Sequence, residues 1–399
     1  MIYHGLDAGT WIATSRDDNL TIWTKHPDNP VIPIPSTKDA AYGKYHVWDT
    51  CGWRLGDTYY SISGNKPDTM PKTDGDTAYL FRSDDLIRWE YVHPFYQSNR
   101  RWTNSDEDCS CPDFFPIGDK HMLMFISHTQ GTQYYVGDFT NETFYPESHG
   151  RMNWPGGACF AQESLLDANG RRIVWAWLPE ARSRSAQIAS GWSGIMSLPR
   201  VIRIDSRAIL NIEPIEELKS LRLNHRKREN LTLSGNSELT IGEIAGKSLE
   251  IVLEFEPQED LNVGFKVLCS PEGDEQTVIT YSSSLERLEI DTSHSSLSSD
   301  IIQPWPYPQA AFAIDLIADE LQDVRNQRAP FALNKNEPLH LRIFLDHSVL
   351  ELFVNSRICM TQRIYPTRED SSMVKVFSKH ERAILRHIEA WDIAATNVL

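Results

Sequence analysis

Short stretches of alternating apolar and polar residues dominate the amino-terminal half of the chain. Residues 10–14, 57–63 and 77–82 follow this pattern, and clusters of turn-forming residues separate them. Alternation with a period of two residues predicts half-buried β-strands. Residues 122–126 are apolar throughout, and with the turn-forming residues at 117–120 they predict the buried strand of a β-hairpin. The pattern therefore predicts an antiparallel, all-β amino-terminal region.

Two segments in this half repeat one another. Residues 13–23 and 81–89 both contain a predicted strand, an acidic turn and a Leu-x-x-Trp motif. We expect that motif, at residues 20–23 and 86–89, to form the returning strand. Repeats of about forty to seventy residues that contain only strands are typical of β-propeller blades, which have about four strands each. The repeat therefore predicts a β-propeller.

The carboxyl-terminal half combines one charged segment with further alternating stretches. Residues 248–255, 339–345 and 348–353 predict the half-buried antiparallel strands of a β-sandwich. Residues 293–328 are rich in Ser and Pro, and we expect them to form a long surface excursion. The predicted domains are a β-propeller at residues 1–212, a linker whose leucine spacing allows a short helix at 213–229, and a β-sandwich at 230–399.

Composition narrows the class of partner. The 399 residues carry a formal net charge of −16, which disfavours nucleic acid and anionic membranes and suits a neutral or cationic small molecule. No apolar run reaches the length of about eighteen residues that a membrane-spanning helix needs. We therefore predict a small-molecule partner, no nucleic-acid partner and no membrane-spanning segment.

The six cysteines do not form the dense framework of a small secreted domain, so we expect reduced thiols and a cytoplasmic location. Cys109 and Cys111 are separated by one residue, which is too close for the usual zinc-binding pair, and we predict no metal and no cofactor. The first residues show no signal-peptide pattern. This start fits a cytoplasmic chain, or one whose true start lies further upstream.

Four stretches carry a resemblance to a known family. In chain order, residues 111–115, 170–177, 191–200 and 345–353 resemble the signatures of glycoside hydrolase family 32, the β-fructofuranosidases that include invertases and levan or inulin hydrolases. The resemblance implies a five-bladed β-propeller followed by a β-sandwich. It also implies retaining hydrolysis at a fructosyl carbon, with a carboxylate nucleophile, a protonated carboxyl as general acid, and a third acid that stabilises an oxocarbenium-like transition state.

The resemblance places the third acid at Asp49. The family carries it in an Arg-Asp-Pro triplet, and only the Asp is retained in Trp48-Asp49-Thr50. We expect Asp49 to stabilise the transition state. The alternative is an aspartate that caps a turn before a strand.

The general acid is harder to assign, because Ser110 occupies the position where the family carries its Glu. Asp108 is one candidate, since residues two apart in a strand share a face. Glu163 is the other, at a place where many relatives carry a basic residue. Either would need a raised pKa to act as an acid. A structural role, such as pairing with Arg171 or Arg172, is the alternative for both.

The resemblance offers no nucleophile in this chain. Relatives carry it in a first-blade segment near their beginning, and no counterpart of that segment precedes Met1. We expect the chain to open inside the second blade and its start to be truncated. Asp7 is the one early acid near a strand, and a turn at residues 6–9 explains it better.

The remaining candidate site residues are predicted to bind substrate: Trp48, Ser110, Asp113 and Trp154. His347 and Glu351 are expected to be structural. The predicted function is an exo-acting β-fructosidase on sucrose or fructans. The alternatives are a non-catalytic fructan-binding protein and a hydrolase of another furanoside. The exposed edge of an incomplete propeller leaves a homo-oligomer open.

Overall fold

The computed structural model describes most of the chain. The described residues are 1–5, 8–65, 71–305 and 322–396. Leu6 and Asp7 of the turn predicted at residues 6–9 lie outside them, as does the part of the predicted surface excursion at 306–321. Within the described ranges, no helix combines the length and the apolar character that crossing a bilayer requires.

The chain divides into two compact units. The first unit contains Met1–Arg151 and Ala161–Ser164, and the second contains Met152–Phe160 and Leu165–Leu399. Strands dominate both units, because alternating segments occur along the whole chain.

The first unit contains three four-stranded antiparallel sheets, each formed by consecutive strands. The first sheet is β1 (Ile2–Gly5), β2 (Gly9–Thr14), β3 (Thr24–Lys25) and β4 (Ile32–Pro33). The second is β5 (Thr50–Leu55), β6 (Thr58–Gly64), β7 (Thr77–Ser83) and β8 (Glu90–Gln97). The third is β9 (Ser110–Ile117), β10 (Lys120–Ser127), β11 (Gly131–Thr140) and β12 (Thr143–Arg151). Sheets of four sequential strands are the form expected of propeller blades.

The predicted hairpin at residues 117–120 is confirmed. Ile117 pairs with Lys120, and Gly118 at the turn has a φ of +60°. Residues 122–126 on β10 are fully buried, because β10 is paired on both sides, with β9 and β11. The unbroken apolar run is therefore the signal of a central strand.

The repeated Leu-x-x-Trp motif forms a turn in both copies, and the prediction that it forms the returning strand is wrong. Leu20 and Leu86 have left-handed φ values of 56° and 67°. The indole N–H of Trp23 donates to the Leu20 carbonyl (2.7 Å), and that of Trp89 donates to the Leu86 carbonyl (2.8 Å). The motif is thus a repeated turn closed by an indole hydrogen bond, and β3 and β8 begin after it.

The second unit begins with a five-stranded sheet and a short helix. The sheet contains β13 (Phe160–Leu166), β14 (Arg172–Leu178), β15 (Ile195–Met196), β16 (Arg200–Ile204) and β17 (Leu210–Pro214). Helix α1 (Arg184–Ser190) lies between β14 and β15. Residues Ala161–Ser164 of β13 belong to the first unit.

Two six-stranded antiparallel sheets complete the second unit. One contains, in spatial order, β18 (Arg222–Leu233), β31 (Ala383–Ile393), β20 (Ser248–Phe255), β27 (Leu339–Asp346), β28 (Val349–Val354) and β29 (Ile358–Arg363). The other contains β19 (Ser237–Ala245), β30 (Met373–Ser378), β21 (Asn262–Cys269), β22 (Gln276–Ser282), β23 (Arg287–His294) and β26 (Asn326–Pro330). Leu253, Phe265, Leu341 and Val376 belong to one apolar core cluster that includes side chains of both sheets. This arrangement confirms the predicted β-sandwich.

Two local predictions in the second unit need correction. The segment at residues 213–229 contains a 3-10 helix (Glu216–Leu221) and then enters β18, so its second half is a sheet strand. The described part of residues 293–328 contains β24 (Pro304–Trp305) and β25 (Gln322–Asp323), and Ile301 and Gln303 are buried. That part therefore packs against the fold instead of forming a surface excursion.

Candidate active site

Asp49 is fixed by a backbone conformation and by its contact with Cys111. Asp49 lies directly before β5, and Cys111 lies at the start of β9. Cys111 donates its backbone N–H (3.0 Å) and its thiol (3.2 Å) to Oδ2 of Asp49. Both residues have left-handed φ values, 45° and 46°, which cost a residue such as cysteine about 1–2 kcal/mol. Such strained residues are typical of functional sites.

Asp113 is held by side chains from two other strands. Its side chain is buried on β9, and the Cys51 sulfur on β5 lies 3.6 Å from Oδ1. The Ser164 hydroxyl on β13 donates to Oδ2. Asp113 therefore marks the point where β5, β9 and β13 meet.

Close backbone packing fixes the residues that precede β9. A Cβ atom on Gly64, at the end of β6, would lie 1.7 Å from the Cys109 carbonyl oxygen, so only glycine fits there. The next residue, Asn65, accepts the Cys109 N–H at Oδ1 (2.7 Å). These contacts fix the position of the backbone at Cys109, and therefore the positions of Cys111 and Asp113 two and four residues later.

Glu163 lies on β13, and its side chain is reached by solvent. Crowding by protein atoms raises its pKa, and the carboxylates Asp113 and Asp49 raise it further, to about 9. Solvent contact relieves part of the burial effect, while the repulsion from the two carboxylates still acts upward. Glu163 therefore combines a carboxyl whose pKa is raised with a side chain that solvent reaches.

Asp108 belongs to a buried polar cluster. It is fully buried and accepts hydrogen bonds from the Ser110 hydroxyl (2.6 Å) and the His128 backbone N–H (2.8 Å). In addition, His128 Nδ1 lies 2.8 Å from Oδ2 of Asp108. Ser110 is itself buried, and its hydroxyl is committed to Asp108. The cluster joins the loop before β9 to the end of β10.

Glu107 is buried as well, with Oε2 accepting from the Gln133 side chain. The acidic stretch at residues 106–108 is therefore not a solvated loop at Glu107 and Asp108. The loop contains buried carboxylates that are satisfied by hydrogen bonds, as burial of a charge requires.

Cys51 and Cys111 are site residues that sequence reasoning missed. Burial, together with the neighbouring carboxylates Asp113 and Asp49, raises the pKa of both thiols. Both are therefore neutral S–H donors toward carboxylates. The spacing of Asp49 and Cys51, two residues apart at the start of a strand, was a usable signal because such residues share a face.

The predicted aromatic residues take different positions. Trp48 is half-buried directly before Asp49, and its ring meets the His4 ring edge-on at 4.8 Å. Trp154 belongs to the second unit, is 8% exposed and packs in the apolar core of that unit. The structure therefore gives the Trp154 ring a core position, and its substrate-binding role stays a prediction without support from this position.

The described residues contain no group of three or more His, Cys, Asp or Glu side chains arranged to hold a metal ion. Within these residues, the site consists of carboxylates with thiol, hydroxyl and amide donors around them.

Known proteins resemble the chain over most of its length. Acid β-fructofuranosidase 4 of Arabidopsis thaliana, described as vacuolar, is 27% identical over 427 aligned positions, which cover 91% of this chain and 60% of that protein. Fructan 6-exohydrolase of Beta vulgaris is 24% identical over 449 positions, covering 96% of this chain and 69% of that protein. The chain thus spans about 60 to 69% of the length of these two relatives.

The crystal structure of fructan 1-exohydrolase IIa from Cichorium intybus matches the fold with a TM-score of 0.80 at 21% identity, over 99% of this chain and 81% of that one. A variant of the same enzyme, in complex with 1-kestose, matches equally well. The likeness confirms the predicted fold class, a β-propeller followed by a β-sandwich.

Two sequence models of one family account for almost the whole chain. The glycosyl hydrolases family 32 N-terminal domain matches residues 5–214, and the glycosyl hydrolases family 32 C-terminal domain matches residues 217–392. The protein therefore belongs to glycoside hydrolase family 32.

Proposed function

We propose that this protein hydrolyses terminal β-fructofuranosyl residues of sucrose or fructans by a retaining mechanism. The observation that carries the proposal is the convergence of Asp49, Asp113 and Glu163 from three segments that are far apart in sequence. The names of the relatives, β-fructofuranosidase and fructan exohydrolase, support this substrate class. The complex of fructan 1-exohydrolase IIa from Cichorium intybus with 1-kestose supports a carbohydrate ligand.

Glu163 is the general acid in this proposal. A group that protonates a leaving oxygen must carry its proton at the working pH and must be reached by the substrate. Glu163 meets both conditions, since its pKa is raised to about 9 and its side chain contacts solvent. Asp108 does not meet the second condition, because it is fully buried and its oxygens already accept from the Ser110 hydroxyl and the His128 backbone N–H.

Asp49 is the stabiliser of positive charge. The thiol and the backbone N–H of Cys111 hold Oδ2, which fixes the plane of the carboxylate before substrate arrives. A preorganised anion beside an oxocarbenium-like carbon lowers the barrier without reorganisation during the reaction. We assign no nucleophile among the described carboxylates.

The experiment measures fructose release from sucrose, 1-kestose and inulin by the native chain and by Glu163→Gln. We expect Glu163→Gln to lower kcat by about 10²–10⁴-fold, the usual contribution of a general acid. The control Glu369→Gln removes an exposed carboxylate in the second unit and should keep the native rate.

A second experiment uses azide as an external nucleophile, so that the role of the general acid can be tested without a protein nucleophile. If azide attacks the fructosyl carbon, the leaving alcohol departs with the Glu163 proton and a fructosyl azide is formed. Formation of this product by the native chain, and not by Glu163→Gln, would support the assigned acid even where hydrolysis is slow.

Ser110 favours one alternative, a fructan-binding protein without turnover, because serine cannot replace the acid that the family carries at this position. Calorimetric binding of 1-kestose with no release of fructose and no fructosyl azide would establish that alternative and refute the hydrolase. Release of arabinose from an arabinofuranoside, without release of fructose, would instead show a hydrolase of another furanoside.

A further inference from the structure

A groove crosses the face of β22 that is turned away from the apolar core of the second unit. Ile279 and Tyr281 on this strand belong to the core, and the alternate residues Val278, Thr280 and Ser282 line the groove. The groove has a volume of about 270 Å³, near the lower end of the range of about 300–1,000 Å³ that is typical of small-molecule sites. Its floor is low because the three side chains on the central strand are short.

Longer side chains form a wall on each side of this floor. On one side, β23 places three side chains directly opposite the floor residues, and all three line the groove: Arg287, Glu289 and Asp291. On the other side, Lys379 and His380 follow the end of β30. The Lys379 backbone N–H donates to the Asn262 carbonyl (2.8 Å), and the His380 N–H donates to Asn236 Oδ1 (3.1 Å). This second wall is therefore held to β21 and to the residue before β19.

Asn262 also lines the groove and carries an unused acceptor. Among the described residues, no donor lies within hydrogen-bond distance of Asn262 Oδ1, although this atom is buried. A buried acceptor without a donor costs free energy, and such a group in a native protein calls for an explanation. A ligand hydroxyl in the groove would supply the missing donor.

The charges around the groove balance. Two cationic and two anionic side chains line it, Arg287 and Lys379 against Glu289 and Asp291. Arg287 and Glu289 form an ion pair at 3.2 Å, so that N–H donors and carboxylate acceptors lie side by side. Together with the hydroxyl groups of the floor, this balanced set matches a neutral ligand with many hydroxyl groups, because each hydroxyl both donates and accepts.

We propose that this groove is a second carbohydrate-binding site, which holds a neutral fructan chain in addition to the site that contains Asp49 and Glu163. The preference for a fructan rests on the proposed function, whereas the preference for a neutral, hydroxyl-rich ligand comes from the groove itself. A polymer bound at the groove stays attached to the enzyme, which raises the effective concentration of its ends for the catalytic site. The groove should therefore matter for inulin and not for sucrose.

The test measures the Kd of the full chain for inulin by affinity electrophoresis, and the KM for inulin and for sucrose by fructose release. Thr280→Tyr places a ring in the groove, and tyrosine is favoured in strands, so the sheet is kept. We expect this variant to raise the Kd and the KM for inulin by about tenfold or more, because the second of two attachment points is lost. The KM for sucrose should stay unchanged.

Asn262→Ala is the second variant. It removes the unused acceptor, so the unfolding free energy should stay unchanged or rise. The Kd for inulin should rise by about two- to tenfold, the usual effect of one lost hydrogen bond. A merely structural role of Asn262 would not give this combination.

Thr240→Tyr is the matched control, because it makes the same change on the same face of the sheet. Thr240 lies on β19, three strands or about 14 Å from β22, and it is in register with Val278 through Lys375 and Lys266. This variant should leave inulin binding unchanged. Dextran, a neutral glucan, is the control ligand and should bind more weakly than inulin.

The outcomes separate the inference from the proposed function. An unchanged Kd for inulin in both Thr280→Tyr and Asn262→Ala overturns the groove as a binding site, even if the native chain releases fructose. An equal rise of the Kd in Thr240→Tyr overturns it as well, and equal affinity for dextran and inulin overturns the preference for a fructan. Weaker inulin binding by Thr280→Tyr and Asn262→Ala, when the native chain releases no fructose, supports the groove and removes the hydrolase.

Discussion

Buried acids are treated differently in the two units of this protein. In the second unit, Glu351 pairs with Arg200, Glu180 with Arg363, and Glu250 with both Arg222 and Arg342. Guanidinium groups neutralise the negative charge of these acids, which makes the charge compatible with a buried position.

In the site of the first unit, carboxylates act on one another. Asp49 receives a thiol and a backbone N–H, Asp113 receives a hydroxyl and faces a thiol, and both repel charge on Glu163. The difference teaches that the guanidinium-paired acids of the second unit serve stability, whereas Asp49 in the first unit keeps its charge available for chemistry. Variants of acids in the two units should therefore fail in different ways.

The largest effect is expected from Arg200→Met in the second unit. Glu351 accepts from Arg200 Nε (3.2 Å) and from the Leu198 N–H (2.7 Å), and both charged side chains are almost fully buried. Leaving Glu351 buried without its cation should cost about 3–5 kcal/mol of unfolding free energy. Urea unfolding followed by tryptophan fluorescence measures the loss.

The control for that variant is Arg207→Met, which breaks the exposed pair with Asp205 and should leave the unfolding free energy almost unchanged. The double variant Arg200→Met with Glu351→Leu should recover most of the stability, because no unpaired charge remains. A loss below that of the control would contradict the structural role of the pair.

Asp49→Asn tests the first unit, with an effect on the rate instead of the stability. The asparagine oxygen can still accept from Cys111, so the local structure is kept while the negative charge is lost. We expect kcat for fructose release to fall by about 10²–10³-fold. The unfolding free energy should stay within about 0.5 kcal/mol or rise, because repulsion from the other carboxylates is relieved.

Asp57→Asn serves as its control, since Asp57 is a fully exposed carboxylate at the turn after β5. It should keep both the rate and the stability of the native protein. If Asp49→Asn unfolds at a clearly lower urea concentration than the native protein, Asp49 contributes to stability, and the proposed difference between the two units is wrong.

Glu275 in the second unit gives the smallest effect, and the effect depends on pH. Burial acts to raise the pKa of Glu275, but hydrogen bonds from Ser371, Thr367 and Arg368 outweigh it and lower the pKa to about 2. The ordinary value is 4.5. A lowered pKa in the folded state stabilises the fold above the ordinary value, and this contribution is lost as the pH falls from about 4.5 toward 2.

Glu275→Gln should therefore cost about 1–3 kcal/mol at pH 7, and its difference from the native protein should shrink as the pH falls through that range. Urea unfolding at a series of pH values measures the difference. Glu272→Gln, at an exposed position near the same loop, should give a small and constant offset. If the difference in unfolding free energy between Glu275→Gln and the native protein does not change with pH, Glu275 is not stabilised as a hydrogen-bonded anion.

Sequence patterns predicted those features that depend on neighbours along the chain. The β9–β10 hairpin and the strand β20 occur at the predicted positions, because turn residues and alternation act locally. The Leu-x-x-Trp repeat was recognised in the sequence, but the turn that it forms was not. An indole hydrogen bond to a backbone carbonyl produces no periodic pattern of apolar residues.

The surroundings of the candidate site were beyond sequence reasoning. Cys51 and Asp113 are 62 residues apart, and Asp113 and Ser164 are 51 apart, so their contacts depend on the tertiary fold. The choice between Asp108 and Glu163 could not be made for the same reason. Their environments differ because one carboxylate lies beneath His128 and the other contacts solvent.

Gly64 constrains how this protein can be engineered. A methyl group at this position would overlap the Cys109 carbonyl oxygen, so no other amino acid can replace this glycine without displacing β9. A randomised library aimed at a new sugar preference should leave codon 64 untouched and diversify the surroundings of Trp48 instead. Conversely, substitutions that displace β9 by a fraction of an ångström through position 64 offer a way to silence the site without altering any of its carboxylates.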